Sequence, residues 1–254
     1  MQTVLITGCS SGYGLETARH FHSQGWHVIA SMRTPAPECL PQTERMQVVP
    51  LDVTRPASIA QAIEAAGPID VLVNNAGLGL FGAFEATPLE TIDELFATNT
   101  RGVMALTQAV LPQMRKRRSG TIVNVTSSVT LAAKPLVAVY TATKMAIEGF
   151  SASLALELAT FGIRTKLVEP GYCPNTNFAT NGQHRMAGLI TEPYASFAAA
   201  VFATLTQPRT HTHPTDVAEA VFRAANDESE QLRFPAGADA LALAAAPPGG
   251  SLIR

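Results

Sequence analysis

Short apolar runs alternate with longer amphipathic stretches along the chain. The runs are rich in Val, Ile and Leu, and they lie at 3–7, 27–32, 46–51, 69–73, 121–126 and 163–169. Helical spacing of apolar residues fills intervals between them, at 14–24, 56–66, 90–116 and 140–161. Apolar strands separated by helices are typical of a parallel sheet that is buried on both faces. The pattern predicts an α/β fold with a doubly wound parallel sheet of about seven strands and helices on both sides.

The chain shows no internal boundary that would divide it. It has no Pro/Gly-rich linker and no repeat of fixed period, so we expect one domain over residues 1–254. The stretch at about 172–215 has irregular polarity with scattered Pro and Gly, which predicts an insertion with short helices after the sixth strand. The end of the chain, APPGGSLIR, predicts a flexible tail at about 245–254.

The composition excludes several classes of protein. Apolar residues make up 46% and charged residues 15%, and the formal net charge is −2, which indicates a globular protein with a sizeable core. This charge gives no basic field for nucleic acid and no acidic field for cationic partners. The dense cationic run at 115–118 fits a solvated helix C-terminus, where positive charge complements the helix dipole. A localisation signal or an anion-binding patch is the alternative.

The cysteines and the N-terminus indicate a cytoplasmic protein. Cys9, Cys39 and Cys173 are widely spaced, which predicts neither a disulfide framework nor a metal site. The chain enters an apolar strand at Thr3 without the charged segment of a secretory signal. Its apolar runs are shorter than the roughly 18 residues that a membrane span needs. We therefore expect no membrane partner.

A glycine-rich segment, GCSSGYG at 8–14, follows the first apolar strand and opens the first helix. Backbone N–H groups at a helix N-terminus are ready donors for a pyrophosphate, and glycines let the ligand approach the backbone closely. A plain tight turn is the alternative, because the spacing is GxxxGxG rather than GxGxxG. Its place directly after the first strand favours dinucleotide binding on a Rossmann-type domain.

Several further motifs occur in a set order along the chain. They are TGCSSGYG at 7–14, Asp52, NNAG at 74–77, Asn99 within NTRG, Ser127, YTATK at 140–144 and EPG at 169–171. With this ordered set the chain resembles the classical short-chain dehydrogenases/reductases over about residues 3–180, with a shorter family-like stretch at 233–239. TGCSSG, NAGLGLFG at 75–82 and the segment around Tyr140 look most like the 17β-hydroxysteroid and retinol dehydrogenase branch. The resemblance implies an oxidoreductase that interconverts an alcohol and a carbonyl with NAD(P)(H).

Tyr140 and Lys144 have side chains that hydride transfer can use. Hydride addition builds negative charge on the carbonyl oxygen, which needs a proton donor and an oxyanion stabiliser. Tyr140 and Lys144 are four residues apart in a predicted helix, so both lie on one face. A surface contact is the alternative for such a pair. The resemblance implies that Tyr140 is the acid/base and that Lys144 lowers its pKa and binds the nicotinamide ribose.

Two further catalytic residues come from the resemblance. Ser127 and Ser128 are adjacent, and the family spacing of thirteen positions before the tyrosine selects Ser127. Ser128 is then a loop or capping hydroxyl. Asn99 falls within a predicted long helix, where an exposed polar side chain is the alternative. In the family this asparagine supports a water that relays protons to the lysine.

The residues after the second and third strands bear on the choice of cofactor. An acidic residue at the end of the second strand would favour NAD, but Met32 stands there with Arg33 next to it. Arg33 could hold the 2′-phosphate of NADP through a forked ion pair, so NADP(H) is favoured over NAD(H). The alternative is that Arg33 stacks on the adenine or points to solvent. The resemblance makes Asp52 a contact of the adenine amino group, with an N-cap or turn residue as its alternative.

The predicted cofactor-binding set extends beyond these positions. It comprises Gly8, Ser10, Ser11, Gly12, Tyr13, Gly14, Arg33, Asp52, Val53, Asn75, Ala76, Gly77, Tyr140, Lys144, Pro170, Gly171 and Thr176. Thr176 is expected to bind the nicotinamide amide, although it stands one residue later than the family threonine. Val129, Thr130 and Leu131 replace the glycine that usually follows the catalytic serine, which could narrow or reshape the pocket.

An apolar substrate wall is expected from the segments 78–84, 129–138 and 172–200. Its candidate residues are Phe81, Phe84, Leu131, Leu136, Tyr172, Phe178, Tyr194 and Phe197. Such a wall suits a hydrophobic or bulky ketone or secondary alcohol. A 3-oxoacyl thioester or sugar-alcohol oxidoreductase is an alternative on the same scaffold, as is a non-catalytic NADP(H)-sensing protein.

The resemblance also implies a homodimer or homotetramer that associates through the helices at 90–116 and 140–161. The second helix carries apolar residues beyond one core-facing stripe, namely Met145, Phe150, Leu154 and Leu158. Packing against the sheet is the alternative for these side chains.

Overall fold

The computed structural model describes residues 1–174, 178–205 and 210–246. The helices and strands in this part of the chain are, in order, β1 Thr3–Thr7, α1 Gly12–Ser23, β2 His27–Met32, β3 Met46–Pro50, α2 Pro56–Ala66, β4 Val71–Asn74, α3 Leu89–Phe96, α4 Val103–Arg117, β5 Gly120–Val125, α5 Ala138–Ala159, β6 Ile163–Pro170, α6 Phe178–Met186, α7 Ala195–Leu205, α8 Pro214–Asn226, β7 Arg233–Ala236 and α9 Ala238–Ala245.

The seven strands of the described residues form one parallel sheet in the order β3-β2-β1-β4-β5-β6-β7. The predicted doubly wound sheet is therefore confirmed, and the apolar runs match its first six strands to within two residues at either end. The order reverses between β1 and β4, whose pairing sets Leu5 opposite Leu72. Open sheets of this kind bind ligands in the crevice at such a reversal.

Alternate residues of each central strand enter different apolar cores. Val4 and Ile6 pack with Phe21 of α1 and Val221 of α8 on one face. Leu5 packs on the other face, in a cluster that α2, α4 and α5 complete. Because side chains along a strand point alternately to the two faces, this continuous apolar run is what a sheet covered on both sides requires.

The predicted helix over 90–116 is interrupted. A π-helical turn, Ala97–Gly102, joins α3 to α4 and contains Asn99. A π-helical turn shifts the register of the side chains that follow it, and such turns are frequent at functional sites. Periodicity over the whole stretch could not reveal the interruption, since both flanking helices keep their apolar faces toward the protein.

The buried face of α5 changes character along its length. Its first part carries Tyr140, Thr143, Lys144, Glu148 and Ser151, all of which are buried. Leu154 and Leu158, predicted as oligomerisation residues with sheet packing as the alternative, lie in the core cluster beneath the sheet. Met145 is half exposed, and Phe150 packs partly buried against two core clusters.

The insertion after β6 contains α6, a short 3₁₀ turn at Glu192–Tyr194, and α7. It ends at His213, which caps α8 in a reciprocal arrangement with Asp216. Of the predicted tail, residues 247–254 lie outside the described residues. Among the described helices, none is both long enough and apolar enough to cross a bilayer.

The cationic run of residues 115–118 lies at the C-terminal end of α4. Arg118 ends the helix in a left-handed conformation with φ 52° and donates from its guanidinium to the Thr160 carbonyl at 2.7 Å. Arg117 donates to the Ile69 carbonyl. These contacts favour a structural role at the helix terminus, where positive charge complements the dipole.

A buried lysine on β6 yields the first testable prediction. Lys166 is 1% exposed. Its Nζ donates to Asp227 Oδ1 at 2.7 Å and to the carbonyls of Ser229 and Gln231 at 2.7 and 2.8 Å. Lys166→Ala leaves these acceptors without their donor and should lower the free energy of unfolding by about 3 kcal/mol. Urea denaturation measures the change.

The exposed Lys116 on α4 provides the matched control. Lys116→Ala should alter the free energy of unfolding by less than about 0.5 kcal/mol, as surface substitutions usually do. Equal losses for the two variants would contradict a specific role for the buried ammonium.

Candidate active site

A cavity of about 2240 Å³ opens at the carboxyl ends of the strands, on both sides of the reversal between β1 and β4. Loops that follow β1 to β6 all contribute to its wall. It brings together sixteen of the predicted site residues, namely Gly8, Ser10, Ser11, Gly12, Tyr13, Arg33, Asp52, Val53, Asn75, Ala76, Gly77, Ser127, Tyr140, Lys144, Pro170 and Gly171.

Three predicted site residues are not part of this wall. Gly14 and Asn99 lie behind it, and Thr176 is outside the described residues. The position of Thr176 relative to the nicotinamide site therefore stays a prediction.

The glycine-rich loop presents a helix N-terminus to the cavity. Gly8 and Gly12 have φ of 75° and 57°, in the left-handed region that favours glycine, and α1 begins at Gly12. In the described helix α1 the Ser11 side chain makes no capping hydrogen bond, and the first turn carries no acidic residue. This end of α1 therefore suits an anion, because its backbone donors are uncapped by side chains and the dipole favours negative charge.

Gly14 serves the packing of this loop. A Cβ at Gly14 would lie 2.3 Å from the Gly8 carbonyl oxygen and 2.5 Å from Asn75 Nδ2. Gly14 thus packs α1 closely against the end of β1, and its contact with a cofactor stays a prediction. A side chain at this position would push the first turn of α1 away from the loop.

Thr7, which the sequence did not single out as a site residue, joins the ends of β1 and β4. Its Oγ1 accepts from the backbone N–H groups of Asn75 and Ala76, both at 2.9 Å. The Asn75 side chain returns a hydrogen bond to the Thr7 carbonyl at 2.8 Å. The glycine-rich loop and the NNAG loop are therefore held together on the two sides of the strand reversal.

The cavity rim near β2 and β3 carries Arg33 and Asp52. Arg33 is exposed, whereas Met32 is 2% exposed and accepts a hydrogen bond at its sulfur from Ala36 N–H. Partial burial works to raise the pKa of Asp52, but hydrogen bonds from Thr54 and the charges of Arg33 and Arg55 hold it below its ordinary value. The rim thus presents an exposed guanidinium near an ionised carboxylate.

Tyr140 and Lys144 lie side by side at the inner end of the cavity. The Lys144 Nζ is 5.9 Å from the centroid of the Tyr140 ring and donates to the Val125 carbonyl at 2.9 Å. Burial raises the pKa of Tyr140 to about 12, against the effect of a hydrogen bond with Ser127. Burial also lowers the pKa of Lys144 to about 8, against the charge of Glu148.

These pKa directions differ from the expectation that Lys144 lowers the pKa of Tyr140. Both groups are buried, and burial disfavours a phenolate as well as an ammonium. The ammonium also points to the Val125 carbonyl, so desolvation dominates within the protein. At neutral pH the tyrosine holds its proton firmly.

The adjacent serines have different surroundings. Ser127 follows β5 in extended backbone conformation with φ −173°, and its hydroxyl hydrogen-bonds with Tyr140 and accepts from Val129 N–H at 3.4 Å. Ser128 is 8% exposed and begins a short 3₁₀ turn. The structure therefore places the Ser127 hydroxyl, which sequence spacing selected, beside the phenol.

Asn99 supports the site from the π-helical turn. Its Oδ1 accepts from Leu78 N–H at 2.7 Å, and its Nδ2 donates to the Leu78 carbonyl at 2.8 Å and to Thr143 Oγ1 at 3.1 Å. Thr143 in turn donates to the Tyr140 carbonyl at 2.7 Å. The side chain thus pins the loop after β4 to the helix that carries the tyrosine. Its role in supporting a water stays a prediction.

The apolar end of the cavity includes part of the predicted substrate wall. Phe81, Leu131, Tyr172 and Phe197 line it. Helices α7 and α9 add residues that the sequence did not single out, among them Val201, Phe202 and Leu243. The sequences of both helices are rich in Ala, and such a composition gives little indication of a ligand.

Three other predicted wall residues, Phe84, Leu136 and Tyr194, do not line the cavity. Phe84 is 64% exposed, and Tyr194 is partly buried near Glu85. Leu136 adopts φ 62°, and its carbonyl accepts from Gly82 N–H at 2.8 Å, so its backbone shapes the loop before α5. The side chain of Phe178 lies outside the described residues.

An aspartate that the sequence did not single out holds the loop after β6. The Asp239 Oδ2 accepts from Tyr172 N–H at 2.7 Å, and its Oδ1 accepts from Thr212 Oγ1 at 2.5 Å. A Cβ on Gly171 would meet this carboxylate at 2.0 Å. The family-like stretch RFPAGAD at 233–239 contained the signal, since Asp239 ends it. Within the described residues, no group of three or more His, Cys, Asp or Glu side chains could hold a metal ion.

Curated relatives are similar to this chain in sequence. Bovine retinol dehydrogenase 8 is 45% identical over 184 residues, which cover 67% of this chain and 58% of that protein. The match thus spans little more than half the length of the bovine protein. The 3-ketodihydrosphingosine reductase of Bacteroides thetaiotaomicron is 35% identical over 241 residues, 93% of this chain and 88% of that protein.

Solved structures share the fold. A short-chain dehydrogenase from Streptomyces avermitilis aligns with a TM-score of 0.81 and 33% identity, over 96% of this chain and 90% of that chain. A 3-ketoacyl-(acyl-carrier-protein) reductase from Brucella melitensis complexed with NADH aligns with a TM-score of 0.77 and 26% identity, over 92% of this chain and 96% of that chain. A serine dehydrogenase complexed with NADP+ aligns with a TM-score of 0.77 and 28% identity, over 92% of this chain and 94% of that chain.

A family model agrees with these likenesses. The model described as short chain dehydrogenase matches residues 2–186, which include the glycine-rich loop, Ser127 and the Tyr140–Lys144 pair. The chain belongs to the short-chain dehydrogenase family.

Proposed function

We propose that this protein is an NADP(H)-dependent carbonyl reductase and alcohol dehydrogenase that transfers a hydride between nicotinamide and a hydrophobic or bulky ketone or secondary alcohol. One observation carries the proposal. The Ser127 hydroxyl and the Tyr140 phenol, which hydrogen-bond together, lie in the same cavity as the uncapped N-terminus of α1. An acid/base and an anion site in one cleft suit a dinucleotide and a carbonyl.

The described residues fit a dinucleotide. The first turn of α1 would hold the pyrophosphate, Asp52 would accept from the adenine amino group, and Lys144 would hold the nicotinamide ribose. Arg33 would pair with a 2′-phosphate at the rim, where Met32 brings no negative charge. Solved relatives are complexed with NADH and with NADP+, so the preference for NADP(H) rests on the Arg33 guanidinium.

The bound nicotinamide supplies or accepts the hydride. In the reductive direction the Tyr140 Oη gives its proton to the oxygen that gains negative charge, and Ser127 donates a hydrogen bond to the same oxygen. The high pKa of Tyr140 keeps that proton in place at neutral pH until the stronger alkoxide base forms. In the oxidative direction, a protonated Lys144 beside the ring favours the phenolate that must accept the proton.

The apolar end of the cavity supports a hydrophobic substrate. Leu131 contributes to it from the turn after β5, and Phe197 and Val201 contribute from α7. The retinol and 3-ketodihydrosphingosine named for two relatives are largely hydrocarbon molecules. Pockets lined by apolar side chains with a few polar groups at one end bind such molecules well.

Assembly and location extend the proposal. We expect a homodimer or homotetramer formed through α4 and α5, where Leu156 of α5 is 79% exposed and Met145 is 50% exposed. We expect the cytoplasm because Cys9, Cys39 and Cys173, all within the described residues, are not joined in disulfides.

Removal of the phenol tests the reaction. Tyr140→Phe should lower kcat for carbonyl reduction by about 10²- to 10⁴-fold, because the proton donor is lost. The dissociation constant of NADPH, measured by fluorescence, should stay within about threefold, since the ring still fills its place. The substrate for this assay is first identified by testing a panel of ketones, acyl thioesters and polyols, with turnover followed by NADPH absorbance.

Two matched variants sharpen this test. Ser127→Ala should lower kcat by about 10²-fold, whereas Ser128→Ala should stay close to the wild type. Binding of NADPH without any carbonyl turnover by the wild type would favour the alternative of a nucleotide-sensing protein.

Charge reversal at the rim tests the cofactor preference. Arg33→Glu should lower the ratio of kcat/KM with NADPH to that with NADH by about 100-fold, because an ion pair is replaced by repulsion. Arg19→Glu is the control, since Arg19 is an exposed cation on α1 that does not line the cavity. An unchanged ratio in Arg33→Glu would refute the 2′-phosphate contact.

Light scattering tests the assembly. The mass in solution should be two or four times the 26.8 kDa of one chain. Leu156→Lys should shift the mass toward one chain, because it places charge on the proposed contact face. A wild-type mass near 26.8 kDa would contradict the oligomer.

A further inference from the structure

A buried carboxylate on α5 lies next to the site without being part of the cavity wall. Glu148 is 3% exposed and stands one helical turn after Lys144. Isolated carboxylates are rarely buried because the loss of hydration is costly, so such a group needs several partners. The partners of Glu148 come from three other segments of the chain.

Two of these partners flank Ser127. The Thr126 Oγ1 donates to Glu148 Oε1 at 2.7 Å, and the Thr130 Oγ1 lies 3.1 Å from the same oxygen. Thr130 Oγ1 is also 2.7 Å from the Ser127 carbonyl oxygen. One carboxylate oxygen therefore accepts from the residue before Ser127 and shares the Thr130 hydroxyl proton, in the turn after Ser127, with the Ser127 carbonyl oxygen.

The second oxygen of Glu148 faces a shared arginine. Arg233 Nη1 of β7 lies 2.9 Å from Glu148 Oε2, and the same nitrogen contacts Glu169 of β6. Glu169 is 0% exposed, and its pKa is raised to about 6 by burial and by the charge of Glu148, against the effect of Arg233. The charged and titratable groups around Glu148 are thus Lys144 on its own helix, Glu169 on β6 and Arg233 on β7.

We infer that Glu148 is a positioning residue, which through Thr126 and Thr130 holds the backbone on both sides of Ser127 and so keeps the Ser127 hydroxyl against Tyr140. The inference rests on the proposed function for its catalytic consequence. Tyr140, Lys144 and Glu148 all belong to α5. The hydrogen bonds of Glu148 therefore connect the loop around Ser127 to the helix that carries the acid/base. Such a link fixes the relative position of the two hydroxyls that meet the substrate oxygen.

The charge of Glu148 has a second, separable consequence. It opposes the desolvation that lowers the pKa of Lys144 to about 8. Loss of this negative charge moves the pKa of Lys144 further down, so the ammonium is lost at lower pH. The alkaline decline of the reduction rate should therefore move to lower pH when the carboxylate becomes an amide.

Variants at Glu148 and Thr126 separate position from charge. Glu148→Ala and Thr126→Val should lower kcat by about tenfold, with KM for the carbonyl and the dissociation constant of NADPH within twofold. Thr126→Ser should restore kcat because it keeps the donor hydroxyl. Glu148→Gln keeps an acceptor oxygen, so kcat should fall by less than threefold while the alkaline limb moves to lower pH.

Hydrogen exchange supplies a readout that needs neither substrate nor cofactor. Amides of residues 126–131 should exchange about tenfold faster in Glu148→Ala than in the wild type, because a charged hydrogen-bond acceptor is lost. Glu157→Ala, at an exposed glutamate of the same helix, is the control and should leave both exchange and kcat unchanged.

The outcomes distinguish this inference from the proposed function. A wild type inactive on the whole panel overturns the proposed function, while faster exchange in Glu148→Ala still supports the hold on the serine loop. An active wild type with unchanged kcat or unchanged exchange in Glu148→Ala overturns the positioning role. Equal losses of kcat and NADPH binding in Thr126→Ser and Thr126→Val overturn it as well, since they indicate general damage.

Discussion

The rest of the molecule depends on the reversal of strand order between β1 and β4 and on the side chain that holds it together. A parallel sheet wound outward in two directions leaves a crevice where the chain leaves the two central strands. Thr7 and Asn75 close the backbone of that crevice with reciprocal hydrogen bonds. The glycine-rich loop and the NNAG loop therefore keep a fixed spacing, and the cavity between them can receive a long ligand whose two ends need different chemistry.

Burial governs the electrostatics of the inner end of this cavity. Tyr140 and Lys144 are both below 10% exposed, and the pKa of each moves toward the neutral form. A proton held this firmly is released only when a strong base forms in contact with it, which is the situation of a developing alkoxide. The hydrogen bonds of Asn99 and Thr143 keep the backbone around the tyrosine in place while that happens.

The sequence was sufficient for the fold and for most of the residues that line the cavity around the glycine-rich loop. Six strands could be predicted because apolar runs in a doubly covered sheet are continuous, and the order of the motifs located the loops between them. It was insufficient where one residue type serves several purposes. The sequence did not reveal that Gly14 makes room for the Gly8 carbonyl, and it assigned Leu136 to the pocket although the backbone of Leu136 shapes a loop.

Long-range contacts were the second limit. Glu148 and Asp239 acquire their partners from strands and loops far along the chain, and neither lies in a spacing that local periodicity can interpret. A charged residue on the otherwise buried face of α5 was a usable signal for Glu148. The π-helical turn around Asn99 left no comparable trace, because its residues are compatible with an ordinary helix.

The buried face of α5 implies a conflict between the stability of the fold and its catalytic function. Its first part buries Tyr140, Lys144, Glu148 and Ser151, whereas Leu154 and Leu158 occupy the buried face in the next two turns. Each of these polar groups must be desolvated and matched with partners, whereas an apolar side chain of similar volume would only need to fit. The helix is therefore less stabilising than its length would allow. A lineage of such proteins that no longer needed turnover could gain robustness by replacing this stripe with hydrocarbon, and would keep its fold while losing its reaction.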